Sequence, residues 1–364
     1  MKLWKRAAAA IKDRKSLLAV GFSKRTSHHN LDLEAAIIKA TSHDSSSVDY
    51  SNAHRVYKWI RSSPLNLKTL IHTLSSRVNH TRSWIVSLKS LMLLHGVLSC
   101  KLPSVLGELR RLPFDLSDFS DGHSCLSKTW GFNIFVRAYF TFLHSYSPFL
   151  SDQFHRRPAA NRRSSELERI RKLQSLLDLI LQIRPIADNM KRTLILEAMD
   201  CIVVESINIY GRICSGVIRM LPSSGKTDAA ATLKIIDKAT SQGEDLAIYF
   251  EFCKGFGVPN ARDTPQFVSI PKAEVEKIKK MIKNVEEEEE EEEEVVVEEE
   301  KAMVVLEKPR LQTIVTEKWE IFEDDECCFH EKVIKEYQKH PLPLIVSYQE
   351  PVYIEYMMPD LITF

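Results

Sequence analysis

A chain of 364 residues with 44% hydrophobic content can form one large or two ordinary cores, which excludes a peptide, a disordered chain and a collagen-like fibre. Only 11 glycines occur where average usage gives roughly 25, so helix is favoured over hairpins and phosphate-cradling loops. The net charge of +1 conceals an asymmetry: residues 283–364 hold 24 of the 49 acidic and 8 of the 50 basic residues, a charge of −16, which leaves +17 on residues 1–282.

The basic body predicts an anionic partner, and the acidic segment predicts a solvated tail. Nucleic acid is one candidate anion. The sequence has no zinc-ligand spacing, no helix-turn-helix glycine turn and no stacking motif of aromatic and basic residues, so we expect no nucleic-acid partner.

Cysteine usage and hydropathy predict the compartment. The seven cysteines are odd in number and contain no Cys-x-x-Cys pair, which indicates free thiols in a reducing environment, most of them small core residues. No apolar run approaches the ~18 residues needed to span a bilayer. We therefore expect a cytoplasmic protein.

The first predicted helix, residues 3–20, is amphipathic. At 100° per residue one face carries Trp4, Ala7, Ile11, Leu18 and Phe22. The other face carries Lys2, Lys5, Arg6 and Lys12. This pattern suits an anionic membrane surface, with Leu3, Trp4 and Ile11 as candidates for insertion. Packing of Ile11, Leu18 and Phe22 into the protein core fits the pattern equally well.

From Asp32 to Ile282 apolar residues recur at spacings of three and four, which predicts an all-α fold, a solenoid or helical bundle. Ser83 is the predicted N-cap of one helix, and Ser63-Pro64 ends another. The two longest predicted helices read as a packed pair. We predict helices at 31–42, 50–62, 66–79, 83–100, 102–112, 130–149, 164–184, 190–221, 227–256 and 271–284.

Motifs for catalysis are missing, so we predict neither an enzyme nor a cofactor or metal site. Ser223-Ser224-Gly225-Lys226-Thr227 ends like a phosphate-binding loop, but the glycine required five residues before Gly225 is replaced by Met220. The cluster His123-Ser124-Cys125 is better explained as a loop than as a metal site. Asp118 and Asp121 are better explained as capping or turn residues than as an acid/base pair.

The tail, residues 285–364, begins with nine consecutive glutamates at 286–294, whose repulsion predicts disorder. Short apolar clusters follow among acids and prolines, a pattern typical of linear docking motifs. We therefore predict two regions, a helical domain at 1–284 and a disordered acidic tail at 285–364.

A collinear set of motifs runs through the helical region: Lys39-Ala40-Thr41-Ser42-His43-Asp44, then Trp84, Lys89, Leu91-Met92 and His95, then Asp118-Phe119-Ser120-Asp121, Trp130 and Phe135-Val136-Arg137-Ala138-Tyr139. Together they resemble the plant clathrin assembly proteins that carry an ANTH domain. The resemblance covers roughly residues 2–256 and implies an ANTH-type α-solenoid followed by a disordered tail with endocytic motifs.

The resemblance also implies a function. It predicts a monomeric adaptor of clathrin-dependent endocytosis that binds phosphatidylinositol 4,5-bisphosphate through the helical domain and clathrin heavy chain through the tail. VAMP-type SNAREs are implied as further partners. The implied locations are clathrin-coated pits, clathrin-coated vesicles and Golgi membranes.

Candidate site residues follow from the resemblance and from charge. Lys39 matches the family's headgroup-binding lysine, and the other candidates for lipid contact are Lys2, Lys5, Arg6, Lys12, His54, Arg55 and Lys58. For clathrin or adaptor binding, the terminal Leu361-Ile362-Thr363-Phe364 approximates a clathrin box. Trp319 and Phe322, beside acidic residues, form the second candidate.

One departure from the family supports a second interpretation. The family's Lys-x-Lys-His run is absent, since Asp49, Tyr50, Ser51 and Asn52 follow Val48. The alternative is a helical protein-interaction scaffold, for SNARE cargo for example, that has lost phosphoinositide recognition.

Overall fold

The computed structural model describes residues 10–18, 30–122, 126–155, 162–221 and 229–262, with 275, 276 and 280. Within these residues the chain is all-α and contains no strand, as predicted. We number the helices α1 (residues 10–18), α2 (Leu31–Ala40), α3 (Tyr50–Ser62), α4 (Leu65–Thr81), α5 (Trp84–Ser99), α6 (Pro103–Glu108), α7 (Leu126–Phe154), α8 (Arg162–Leu181), α9 (Thr193–Met220) and α10 (Ala229–Phe256). The predicted tail, and nearly all of the predicted helix 271–284, lie outside the described residues.

Helix boundaries differ from prediction at two prolines. α6 ends at Glu108, before the predicted end at residue 112, and Pro113 disfavours helical backbone at residue 112 itself. α7 continues through Pro148 to Phe154, beyond the predicted end at 149. Phe149 and Leu150 are buried, so packing beyond the proline outweighs the hydrogen bond that the proline removes.

α5 is the central helix of the fold. Thirteen of its 16 residues are buried, and it packs against α3, α4, α6, α7 and α9. A helix that is apolar on all sides is stable only when other elements surround it. Its side chains, among them Lys89 and His95, are therefore held by neighbours on every side.

The last three numbered helices pack on one another, and the predicted pair α9 and α10 are neighbours. Two buried amides join α8 to α10. Gln174 Nε2 donates to Ile235 O at 2.9 Å, and Gln242 Nε2 donates to Gln174 O at 2.7 Å. Tyr210 Oη donates to Ala239 O at 3.3 Å and joins α9 to α10. Buried polar groups of this kind must find partners, so these bonds fix how the helices align.

Of the described helices, α9 alone has the length and apolar composition to cross a bilayer. In this structure 61% of its most apolar 18-residue stretch is buried inside the protein. Its carboxylates also bond within the fold: Glu197 accepts from Val48 N at 2.9 Å, and Glu205 accepts from Tyr146 Oη at 2.6 Å. α9 is therefore a core helix of this fold.

Ser83 occupies the N-cap position of α5, as predicted, but its side chain makes no capping hydrogen bond. The acceptor is Asp121, whose Oδ2 receives the Trp84 N–H at 3.0 Å, and Asn133 Oδ1 in turn receives the Asp121 N–H at 3.1 Å. Asp121 thus has the capping role expected of it, supplied from a distant loop.

Four cysteines fall within the described residues, and all four are free thiols. Cys214 and Cys253 are fully buried, which confirms for them the predicted role of small core residues. Burial raises the pKa of Cys214 to about 11 and that of Cys253 to about 12, so both thiols stay protonated at neutral pH.

A methyl group added at Gly96 would overlap the Tyr57 hydroxyl and ring, where α5 approaches α3. We expect Gly96→Ala to destabilise the protein by about 1–3 kcal/mol in denaturant unfolding, because a packed core resists added volume. Gly107→Ala is the matched control, since nothing lies within 4 Å of its added carbon. The control should be neutral or stabilising by about 0.5–1 kcal/mol, and equal stability of the two variants would contradict the packing argument.

Candidate functional site

α2 ends in a way that exposes Lys39 while its neighbours are buried. Asn30 caps the start of the helix by accepting from Leu33 N at 3.1 Å. At the other end, the Thr41 hydroxyl and amide both donate to Ile37 O, at 2.7 and 2.9 Å. Ala40 and Thr41 are buried, and Lys39 is exposed. The Lys-Ala-Thr motif therefore presents one cation in the last turn of the helix, where the helix dipole favours positive charge.

A buried arginine joins α1, α2 and α4. The Arg77 guanidinium donates to Asp13 Oδ1 at 2.6 Å and to Thr41 O at 2.8 and 3.1 Å. It also donates to Ser16 Oγ at 3.3 Å. The His43 N–H donates to Asp13 Oδ2 at 3.0 Å, and His43 Nδ1 lies 2.7 Å from Asp13 Oδ1. We call Asp13, Ser16, Thr41, His43 and Arg77 the junction network.

The electrostatics of the junction network follow from burial and pairing. Burial raises the pKa of Asp13, but hydrogen bonds from His43 and Arg77 outweigh this and leave the pKa below its usual value. Burial lowers the pKa of Arg77, and Asp13 opposes the shift. Both groups are therefore charged at neutral pH, and each compensates the desolvation of the other.

The junction network determines which face of α1 is exposed. Asp13, Ser16 and Leu17 are half-buried against the body, whereas Ile11 and Leu18 are 56% and 59% exposed. At 100° per residue these two sets lie on opposite sides of the helix. The core-packing alternative is therefore wrong for Ile11 and Leu18, and the apolar face of α1 is turned to solvent. Lys12, Arg14 and Lys15 are exposed beside it.

The loop from Ser42 to Asp49 is tied to the body at both ends. Lys89, only 1% exposed, donates from Nζ to Ser42 Oγ at 3.1 Å. At the other end the Val48 N–H donates to Glu197 Oε2 at 2.9 Å. Burial lowers the pKa of Lys89, and the carboxylates that oppose this include those of Asp44 and Glu197. Both ends of the loop are therefore anchored to the body, the first of them by the buried Lys89 ammonium group.

Asp49 stands where the resemblance implies cations, and its carboxylate has a structural role. It caps α3 by accepting from Asn52 N at 3.0 Å and from Asn52 Nδ2 at 2.7 Å. It also lies close enough to Lys89 to oppose the lowering of the lysine's pKa.

Five of the eight predicted lipid-contact residues lie within the part of the chain that the structure describes, on α1, α2 and α3. Lys39 and Lys12 are exposed, and the junction network brings the helices that carry them together. α2 also packs against α3, on which the predicted lipid-contact residues His54, Arg55 and Lys58 are exposed. Lys2, Leu3, Trp4, Lys5 and Arg6, and the tail residues Trp319, Phe322, Leu361, Ile362 and Phe364, lie outside the described residues.

Three residues that position this site were missed as site residues from sequence: Asp13, Arg77 and Lys89. Each breaks its local pattern. Asp13 is an acid within a basic helix, and Lys89 is a cation in an otherwise apolar helix. A charge that interrupts an apolar run is a signal of a buried, paired group, although only the fold reveals its partner. Among the described residues, no group of three or more His, Cys, Asp or Glu side chains is placed to hold a metal ion.

Comparison with known proteins identifies the family. The family model for the ANTH domain matches residues 32–284. Two Arabidopsis thaliana relatives, both named "Putative clathrin assembly protein", are 72% and 65% identical to this chain, and each alignment covers 100% of both sequences. A solved structure, the ENTH domain from epsin-2 in complex with phosphatidylinositol 4,5-bisphosphate, is similar with a TM-score of 0.48 and 20% identity, covering 65% of this chain and 96% of that one. This chain belongs to the ANTH domain family.

Proposed function

We propose that this protein is a non-enzymatic adaptor of clathrin-coated vesicle formation. Its helical domain, residues 1–284, binds anionic membranes that contain phosphoinositides, and its tail, residues 285–364, binds clathrin heavy chain. Membership of the ANTH domain family and the name carried by its close relatives support this assignment. The adaptor acts as a monomer at the cytoplasmic face of coated pits, coated vesicles and Golgi membranes.

The orientation of α1 carries the membrane part of the proposal. The helix is held by its polar face, so Ile11 and Leu18 project outward between exposed lysine and arginine side chains. Such an amphipathic helix suits the interface of an anionic bilayer, where its apolar face enters the headgroup region and its bases meet phosphate. Lys39 is carried on the neighbouring end of α2, and we assign it to headgroup contact.

We expect the attraction to anionic membranes to arise from many exposed bases and not from a single shaped headgroup pocket. The exposed bases of α1, α2 and α3 each contribute on the order of 1 kcal/mol near an anionic leaflet. Six to eight such residues give roughly micromolar attachment. Attachment of this kind weakens steeply as salt increases, because exposed charges are screened.

The second candidate function is a protein-interaction scaffold, for SNARE cargo for example, that does not bind phosphoinositides. The observation that favours it is the structural use of Asp49 as the cap of α3, where the family resemblance implies a basic run. In this case the domain would present helix surfaces to proteins, and its cations would have no lipid role.

Charge reversal separates the two candidates. We expect Lys5→Glu, Arg6→Glu and Lys39→Glu together to weaken liposome binding by about 3 kcal/mol, on the order of a hundredfold in Kd, because three of the bases assigned to lipid contact are reversed. Cosedimentation with vesicles containing phosphatidylinositol 4,5-bisphosphate measures this. The matched control reverses the exposed lysines Lys128, Lys191 and Lys234 to Glu and should bind nearly as well as the unmodified chain. Unchanged binding by the first variant would support the scaffold.

The apolar face of α1 is tested without a change in charge. We expect Ile11→Ser with Leu18→Ser to reduce vesicle binding about tenfold, since each partly inserted side chain contributes up to about 1.5–3 kcal/mol. Leu65→Ser with Ile248→Ser is the control, because these side chains are as exposed, at 59% and 66%, and lie on other helices. Equal loss in both variants, or none in the first, would argue against insertion. The thermal midpoint should stay unchanged in both variants.

The tail motifs are tested by clathrin capture. We expect Leu361→Ala, Ile362→Ala and Phe364→Ala together to abolish most binding of the clathrin heavy-chain terminal domain to the immobilised full chain, because these apolar residues form the proposed box. Trp319→Ala with Phe322→Ala tests the second motif separately. Vesicle binding is the internal control and should be unaffected. Full clathrin capture after both sets are replaced would contradict the assignment.

A further inference from the structure

The exposed bases of α3 continue beyond the residues assigned to lipid contact. At 100° per residue, His54, Lys58 and Arg61 lie within about 60° of one another on the outer face of the helix, and they span about 10 Å along it. Arg55 is exposed beside them. α3 itself contains no acidic residue, and its N-cap, Asp49, lies at the end remote from Arg61. The outer face of α3 therefore stays positive as far as its last turn.

The end of α5 adds a further base at the same corner of the domain. The Arg61 side chain hydrogen-bonds to the thiol of Cys100, the C-cap of α5, and opposes the effect of burial, which raises the pKa of Cys100. Lys101 comes next and is exposed. Its N–H donates to Leu98 O at 3.0 Å, which holds it at the helix end. We call these five bases the basic row: His54, Arg55, Lys58, Arg61 and Lys101.

The basic row differs from the exposed bases of α8 and α10, which have acidic partners. Lys172 Nζ lies 2.9 Å from Glu168 Oε1, and Lys238 Nζ lies 2.8 Å from Asp178 Oδ2. No ion pair involving the basic row is found within the described ranges of the chain. The helices that pack against α3 contribute little negative charge: α4 and α5 contain no acidic residue, and the exposed acid of α2 is Asp32. The charge of the row is therefore available to an external anion.

The basic row and Lys39 lie on the same side of the domain. Ile37 of α2 and Val56 and Ile60 of α3 are buried in one core, and the two helices pack against each other. Neighbouring helices that bury their inner faces in one core turn their outer faces to the same side. Lys39 is exposed on the outer face of α2. A flat, extended anionic surface can therefore meet Lys39 and the basic row together.

We propose that the membrane-binding surface runs along the whole of α3 and ends at Arg61 and Lys101, so that the domain lies with α3 along the bilayer. This inference rests on the proposed function and extends it to two bases that the sequence did not assign. A row of separate bases suits a layer of lipid headgroups, because each base can meet a different phosphate. An acidic protein segment is the competing occupant. Protein interfaces are centred on apolar and aromatic contacts, whereas residues 51–62 of α3 expose no large apolar side chain.

The test is cosedimentation of the full chain with vesicles of phosphatidylcholine, phosphatidylserine and phosphatidylinositol 4,5-bisphosphate. We expect Arg61→Glu with Lys101→Glu to weaken binding at least about tenfold, because two bases of the membrane surface are reversed. Lys101→Glu alone, which keeps the contact between Arg61 and Cys100, should weaken it about fivefold. The matched control, Lys128→Glu with Lys191→Glu, has the same net charge as the double variant and should change binding less than about twofold. Equal thermal midpoints check that the variants fold.

A fluorescent label reports the orientation directly. The environment-sensitive dye nitrobenzoxadiazole, attached at Ser62→Cys beside Arg61, should brighten when vesicles are added, because this end of α3 enters the headgroup region. The same dye at Ser241→Cys, an exposed position on α10, should not respond. The unsubstituted chain, treated with the dye in the same way, gives the background from its own cysteines.

Several outcomes would overturn the proposal. Equal loss in the Arg61 and Lys101 double variant and in its control would indicate a diffuse charge effect. Unchanged vesicle binding by the double variant, together with lost binding to soluble polyglutamate, would make the basic row a protein-binding surface. If the double variant binds vesicles normally while the variant reversed at Lys5, Arg6 and Lys39 does not, this inference fails and the proposed function stands. If the unmodified chain ignores the vesicles, both fail.

Discussion

The buried contact between Arg77 and Asp13 determines how this domain presents its N-terminal helix. Removing a guanidinium from water costs several kcal/mol, so Arg77 requires both the Asp13 carboxylate and the Thr41 carbonyl as partners. Because Asp13 lies on the polar side of α1, satisfying the arginine orients the helix with its apolar side outward. The exposure of Ile11 and Leu18, unfavourable in water, is thus a consequence of pairing one buried charge.

The loop that follows α2 shows how acidic residues can be accommodated beside a cationic surface. Lys89 lies beneath the loop, and Asp44, Asp49, Glu197 and Asp13 all interact electrostatically with its ammonium group. These carboxylates are partly compensated from within the fold. The exposed cations of α1, α2 and α3 are therefore less opposed than the sequence of the loop suggests. The result favours distributed attraction to anions over a single shaped headgroup pocket.

Much of the motif set that carries the family resemblance has an architectural role. Trp84 stacks on Phe132 with ring centroids 4.1 Å apart, and His95 Nδ1 lies 2.8 Å from the Tyr139 hydroxyl. Asp121 caps α5, and Lys89 holds the loop before α3. These residues are buried in or around the central helix. Lys39, the motif residue that we assign to lipid contact, faces solvent instead. Most of the motif residues that carry the resemblance therefore stabilise the fold.

The sequence by itself determined the all-α fold, the bounds of α3, the amphipathic character of α1 and the separation of basic and acidic regions, because periodicity, caps and charge are local properties. It left open whether Ile11 and Leu18 face the core, and it did not reveal that Asp121 accepts the hydrogen bond from Trp84 N at the start of α5. Only the tertiary structure decided these points. Asp13 with Arg77, and Asp121 with Trp84, are partners 64 and 37 residues apart, and a buried polar group pairs with whichever donor or acceptor the packed chain brings within reach.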